Sequence, residues 1–161
     1  MTSHTIVDSP IGELTLVAEG DALAGLSMSE QRGIEHGPRD DNLLPALREQ
    51  LIAYWAGELI RFDVPLAMVG TPFQQRVWTA LQTIPYAETW SYGRLAAAIG
   101  QPTASRAVGL ANGRNPVSIV VPCHRVVGSN GRLTGYAGGL ARKQFLLDLE
   151  SGAVLPGMIG C

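Results

Sequence analysis

Pro122-Cys123-His124-Arg125-Val126 is the stretch from which the rest of this sequence can be read. The proline has a fixed φ and no N–H to give. It closes the short apolar run Ser118–Val121 and holds Cys123 at a bend of the chain. A thiol becomes a nucleophile as its thiolate, and a neighbouring imidazole can take the proton. On the residues alone, a small buried cysteine that only packs is the competing reading. Side chains of neighbours on an extended chain point to opposite sides, so His124 needs a bend or a bridging water to serve Cys123. A catalytic base is usually oriented by a third group. Glu150, at the end of the last predicted helix, is the candidate, against the simpler view that it is a solvated surface carboxylate.

Working upstream, Thr71-Pro72-Phe73-Gln74 has the form of a helix start, with Thr71 as cap, Pro72 at the first helical position and Gln74 closing a capping box. Phe73, Val77, Trp78 and Leu81 share one side of this helix, which stops before Pro85. Ser91 caps a helix over Tyr92–Ile99, Gly100-Gln101-Pro102 breaks it, and Thr103 caps another running to about Asn112. Two short helices around a tight turn outline a helix-turn-helix, although from the pattern alone a helical hairpin inside a core is the favoured reading. Downstream, Gly128-Ser129-Asn130-Gly131 is a turn. Gly138–Leu149 is a last helix with Leu140, Phe145, Leu146 and Leu149 inward, and the tail from Ser151 to Cys161 is loose.

The N-terminal part reads differently. Thr5–Asp8, Glu13–Ala18 and Leu23–Ser29 alternate with turns at Ser9-Pro10-Ile11-Gly12 and Glu19-Gly20-Asp21, which predicts an antiparallel meander. A polar loop covers 30–41. Leu44, Leu47, Leu51, Ile52 and Trp55 fall at helical spacing between Leu43 and Trp55, Gly57 ends that helix, and Phe62–Leu66 returns as an edge strand. Residues 66–71 read as a linker. The predicted class is therefore α+β: an N-terminal domain over 1–68, a small antiparallel sheet with a helix, and a mostly helical C-terminal domain over 69–161.

With 161 residues, 46% apolar and 16% charged, the chain is long and apolar enough for a real core. No run of about 20 apolar residues predicts a membrane span, and Met1–Pro10 has neither basic residue nor apolar stretch to read as a secretory signal. A cytoplasmic protein without membrane contact is expected, in which a Cys123–Cys161 disulfide is disfavoured. His4, His36 and His124 are scattered and there is no Cys-x-x-Cys, so no metal is expected. The net charge of −2 hides an asymmetry: residues 1–70 hold 4 basic and 11 acidic residues (−7), and residues 71–150 hold 8 and 3 (+5). Opposite signs suggest two subdomains, the second able to meet phosphate.

Five segments together carry a resemblance. Pro122–Val126 resembles the active-site motif of the O6-alkylguanine-DNA alkyltransferases, the methylated-DNA–protein-cysteine methyltransferases. Ser91-Tyr92-Gly93-Arg94-Leu95-Ala96 resembles the first helix of that family's DNA-binding motif, and Ser105-Arg106-Ala107-Val108-Gly109 its recognition helix. Asn115-Pro116-Val117 resembles the asparagine hinge, and Gly135-Tyr136-Ala137-Gly138-Gly139 the substrate loop. The match runs from about Thr71 to Glu150. The N-terminal part is similar only in length and strand character; there the family has a ribonuclease H-like domain.

The resemblance implies base flipping from duplex DNA and transfer of an alkyl group from O6 of guanine to Cys123, once per molecule, with no cofactor. O4-alkylthymine is left open as a second substrate. It implies that Cys123, His124, Glu150, Asn115 and Tyr92 do the chemistry. Arg106 would fill the space of the flipped base from the minor groove, with Tyr92, Ala107, Gly109, Arg94, Arg114 and Arg125 on the DNA. Val126, Tyr136, Ala137 and Gly138 would line the guanine pocket. Some relatives carry a hydroxyl residue where this chain has Ala137. A monomer is expected, with cooperative binding along DNA left open, and Cys161 is given no role. Three alternatives stay in view: a non-catalytic lesion-binding alkyltransferase-like protein, in which the motif cysteine is replaced; a helix-turn-helix regulator, which needs a further domain; and a cysteine hydrolase, which turns over repeatedly.

Overall fold

The computed structural model describes residues 2–28, 37–136 and 138–153. Strands β1 (Thr2–Val7), β2 (Leu14–Glu19) and β3 (Ala22–Met28) form the predicted antiparallel meander, in the order β1-β2-β3. The β2–β3 connection is the two-residue turn Gly20-Asp21. Gly20 has φ +61°, at the first central position of such a turn, where a Cβ would be costly. The register shifts between Val17 and Ala18, where Ala24 is the extra residue on β3, a bulge that brings Leu23 to the same buried face as Leu26 and Met28.

Helix α1 (Pro45–Trp55) follows. It buries Leu47, Leu51, Tyr54 and Trp55, whereas Ile52 is 70% exposed. The expected apolar face is thus turned by part of a residue, and Tyr54 takes the inward place assigned to Ile52. Gly57 ends the helix region at φ +73°. Phe62–Leu66 is not a strand: the segment meets β3 at one bridge, Leu23 to Leu66, flanked by the hydrogen bonds Leu23 N–H to Pro65 O and Ala67 N–H to Leu23 O. Pro65 has no N–H for a longer ladder.

Helix α2 (Pro72–Leu81) starts on the predicted capping box, with Gln74 N–H donating to Thr71 Oγ1 and Thr71 N–H donating to Gln74 Oε1. Its Trp78 is 1% exposed and donates from Nε1 to Ala111 O at 2.9 Å. Gly70 makes room for that indole: a Cβ there would lie 2.4 Å from Trp78 Cη2. A rigid, hydrogen-bonded ring cannot yield cheaply, so Gly70→Ala is expected to cost about 1–3 kcal/mol. Urea denaturation checks this, and an unchanged midpoint would mean that the linker shifts freely.

The C-terminal helices are α3 (Tyr92–Ala98), α4 (Ser105–Gly113) and α5 (Leu140–Ser151), with α2, α3 and α4 packed on one another. Ser91 caps α3 as expected, accepting from Arg94 N–H. Thr103 does not cap α4: the cap position falls on Ala104, one residue later, with no side-chain bond. Helix α5 begins at Leu140 rather than Gly138, because Gly139 stands at φ +92°. Leu140, expected inward, is 49% exposed in that first turn, while Leu146 and Leu149 are buried. Between α4 and α5, β5 (Val126–Val127) pairs in parallel with β4 (Trp90–Ser91). The turn at 128–131 forms as read, closed by Gly131 N–H to Gly128 O. Among the described residues no helix is long and apolar enough to cross a membrane. Ser29, most of the 30–41 loop, Ala137 and the end of the tail with Cys161 lie outside the described residues.

Candidate active site

The approach to Cys123 is a series of tight turns. Asn115 is 7% exposed and spans them: its Nδ2 donates to Val121 O at 2.8 Å and Val117 O at 3.3 Å, and its Oδ1 accepts from Val117 N–H at 3.0 Å. Ile119 sits at φ +73°, a strained conformation for a β-branched residue, and is buried in the turn that Asn115 closes. The N-terminal sheet also grips this segment. Leu26 N–H donates to Pro116 O and Ser118 N–H donates to Leu26 O, a bridge from β3 to Val117.

Cys123–Arg125 then forms one turn of 3-10 helix, the bend that the sequence required. Cys123 is 5% exposed. Burial pushes its thiol above the ordinary value of 9.0, partly offset by the Asn115 amide and the Lys143 charge. His124 is fully buried, and its Nε2 lies 2.6 Å from Glu150 Oε2. Glu150 is not a surface carboxylate: it is 5% exposed, reached from α5. Its Oε1 accepts from Arg125 Nε at 2.7 Å and its Oε2 from Arg125 Nη2 at 3.0 Å and Tyr54 Oη at 2.6 Å. Burial alone would raise its pKa, but the hydrogen bonds and charges of His124 and Arg125 outweigh it and hold the carboxyl well below 4.5. An ionised carboxylate only accepts. The His124 proton is therefore on Nε2, and Nδ1, buried without a protein partner, carries the free lone pair. Burial also pulls the imidazole below 6.5 against the Glu150 contribution, so it is neutral near pH 7.

Four predicted residues, Cys123, His124, Glu150 and Asn115, thus belong to one buried assembly. Arg125 belongs to it as well, which corrects its expected place on DNA. It is 7% exposed, and its Nη1 donates to Ile84 O at 2.8 Å. Two members were missed. Tyr54 lies in the other domain and carries no local motif. Lys143 is one of the eight basic residues behind the +5 of 71–150 but is 0% exposed, its Nζ donating to Val126 O at 2.6 Å and Thr134 O at 2.8 Å. Its place in α5 on the Leu146/Leu149 side (i+3, i+6) was the available signal.

The remaining predicted residues flank this assembly. The Tyr92 hydroxyl pairs with Thr134 Oγ1 at 2.8 Å, and a Cβ on Gly109 would lie 3.6 Å from its ring, so α4 approaches α3 closely there. On α4, Arg106 and Ala107 are exposed beside Leu110, as is Arg114 at its end. Arg94 lies on the exposed side of α3, 4.6 Å over the Trp90 ring. Val126 is buried with its carbonyl held by Lys143, Tyr136 has its hydroxyl buried, and Gly138 is buried where a Cβ would meet Met28 Sδ and Tyr136 Cε2 at 2.9 Å. Among the described residues no group of three or more His, Cys, Asp or Glu could hold a metal ion.

Comparison with known proteins bears on the whole chain. Residues 72–152 match the DNA-binding domain of 6-O-methylguanine DNA methyltransferase, and residues 3–68 match its ribonuclease-like domain. The chain belongs to the 6-O-methylguanine DNA methyltransferase family. Among family members, the methylated-DNA–protein-cysteine methyltransferase of Mycobacterium tuberculosis (strain H37Rv) is 55% identical over 153 residues, 93% of each chain. The constitutive one of Bacillus subtilis is 45% identical over 158 residues, 93% of this chain and 96% of the other. The crystal structure of M. tuberculosis OGT in complex with DNA superposes with a TM-score of 0.91 at 54% identity, covering 95% of each chain. The α+β family fold, with its ribonuclease-like and DNA-binding parts, is the one read from the sequence.

Proposed function

We propose that this protein repairs DNA by moving the alkyl group of O6-alkylguanine onto its own Cys123, one group per molecule. The observation that carries the reading is the buried relay, in which Glu150 accepts a hydrogen bond from the Nε2–H of His124 at 2.6 Å and leaves Nδ1 as a base next to the cysteine in sequence. His124 accepts the thiol proton, through a water, and the thiolate attacks the alkyl carbon. A carbon–sulfur bond forms, the bond from that carbon to O6 breaks, and the electron pair leaves with guanine, which takes a proton from Tyr92 or water. The product is a thioether, which thiol exchange does not reverse. The step balances without a metal or organic cofactor.

Access to the base is by flipping it from the duplex, at a cost of a few kcal/mol. In this reading α4 enters the minor groove. Arg106 occupies the vacated stack, Ala107 and Gly109 allow close approach, Arg94 and Arg114 meet phosphate, and Val126, Tyr136, Ala137 and Gly138 enclose the guanine. Support comes from the exposure of Arg106, Ala107, Arg94 and Arg114 and from the relative solved with DNA. The protein acts as a monomer in the cytoplasm.

Intact mass after mixing with an oligonucleotide carrying one O6-methylguanine tests the reading. The expected result is a gain of one methyl, saturating at one per molecule and absent from Cys123→Ser. Tight lesion binding with no gain would instead favour a non-catalytic lesion-binding protein, and neither gain nor binding would end the assignment.

A further inference from the structure

Tyr54 is a group in the assembly that the chemistry above leaves unused and that bonds Glu150 directly. It stands on α1, in the N-terminal domain, 96 residues from Glu150 along the chain. Its side chain is 1% exposed and its ring is fixed on three sides, by Trp55 at 5.1 Å, Phe62 at 5.3 Å and Tyr86 at 6.4 Å between centroids. Its hydroxyl donates at 2.6 Å to Oε2 of Glu150, the oxygen that also accepts from His124.

We propose that Tyr54 is a positioning residue of the alkyl-transfer site: by donating to the Glu150 oxygen shared with His124, it aims the carboxylate and limits its pull on the His124 proton. The inference rests on the reading of Cys123 as alkyl acceptor and His124 as its base. A carboxylate oxygen that accepts a second strong hydrogen bond carries less charge toward the first donor. With the Tyr54 bond in place the imidazolium is stabilised less, so more His124 stays neutral and able to accept a proton. Burial and the Glu150 charge keep the phenol well above its ordinary pKa of 10.0, so it remains a donor throughout the working range.

The groups facing this centre are few. Tyr54 comes from α1, His124 and Arg125 from the 3-10 turn, and Tyr86 and the Ala87 N–H from the segment after α2. Lys143, on α5 with Glu150, acts on His124 by charge. Arg125 is held by both Glu150 oxygens and Ile84 O, so it cannot turn to replace the phenol. The N-terminal domain thereby reaches into the chemistry, in addition to bracing the cysteine turn through β3.

Tyr54→Phe tests this, since it keeps the ring and its packing and removes the hydroxyl alone. Methyl transfer is followed as a single-turnover rate at saturating duplex from pH 4.5 to 8.5, and His124 is titrated by nitrogen-15 NMR in the same two proteins. The variant is expected to bind duplex as the parent does. Its rate profile and its imidazole titration should both move upward by about one pH unit, making transfer about tenfold slower on the acid side. An unmoved His124 titration would overturn the proposal, even if the variant melted earlier, because a packing role would not touch that midpoint. Absence of transfer in the parent would instead strike the alkyl-acceptor reading, and the NMR titration would still decide the role of Tyr54.

Discussion

Glu150→Gln is expected to remove about 3–5 kcal/mol of folding stability and to slow methyl transfer by roughly 10²–10⁴-fold. The substitution hardly changes volume, so the loss is electrostatic. Four donors converge on the two carboxylate oxygens at 3.0 Å or less: Tyr54 Oη, His124 Nε2, and Nε and Nη2 of Arg125. An amide offers one acceptor oxygen and turns an NH2 toward the remaining donors, whichever way it is placed. The guanidinium of Arg125, 7% exposed, is left without its counter-charge. Removing one partner of a buried pair costs more than the pair contributes, because the other stays charged and dry.

For a domain of this size that loss corresponds to a melting point lower by roughly 6–20 °C. The sign of the pH dependence follows from the lowered pKa of Glu150. Its contribution is complete above 4.5, the ordinary value, and is lost as pH falls through the lower folded-state value. The difference between parent and Glu150→Gln should therefore be full at pH 7 and shrink below about pH 4.5. Urea denaturation of both proteins across this range checks it. A cost under about 1 kcal/mol at pH 7 would mean that Arg125 finds water in the native state.

Arg106→Ala is expected to slow transfer from duplex DNA by roughly 10–100-fold while leaving transfer from a free O6-alkylguanine base unchanged. Arg106 is exposed on α4, and alanine is the better helix former, so the fold should not suffer. What is lost is the side chain proposed to hold the space of the flipped base, and a flip that costs a few kcal/mol then falls back more often. The salt dependence of duplex binding should also weaken by about one phosphate contact. Single-turnover rates on the two substrates separate the cases. An equal loss on both would indicate damage to the pocket, and no loss on duplex would remove Arg106 from the flipping step.

Much of this protein was legible locally. The capping box at Thr71 and Gln74, the Ser91 cap, the glycine turns and the three-strand meander each depend on a few adjacent residues, and each formed as read. Where local signals were weak, register slipped. Thr103 lost its cap to Ala104, and the apolar spacing in α1 put Ile52 on the inner face, where the fold buries Tyr54 instead.

Charge was the least legible property. Arg125, Lys143 and Glu150 are polar residues that a sequence places at the surface, because burying a charge is costly unless it finds a partner. The partners come from α1, from the segment after α2 and from the turn beside Cys123, up to 96 residues away in the chain. The sequence by itself determined the α+β class, the cysteine and its histidine, and the motifs that mark the family, because these rest on residue identity and short-range spacing. Only the tertiary structure decided that Glu150 is dry, that His124 presents Nδ1, that Arg125 faces inward and that Tyr54 completes the assembly. Each of these depends on desolvation and on hydrogen bonds between distant segments, which exist once the core has closed.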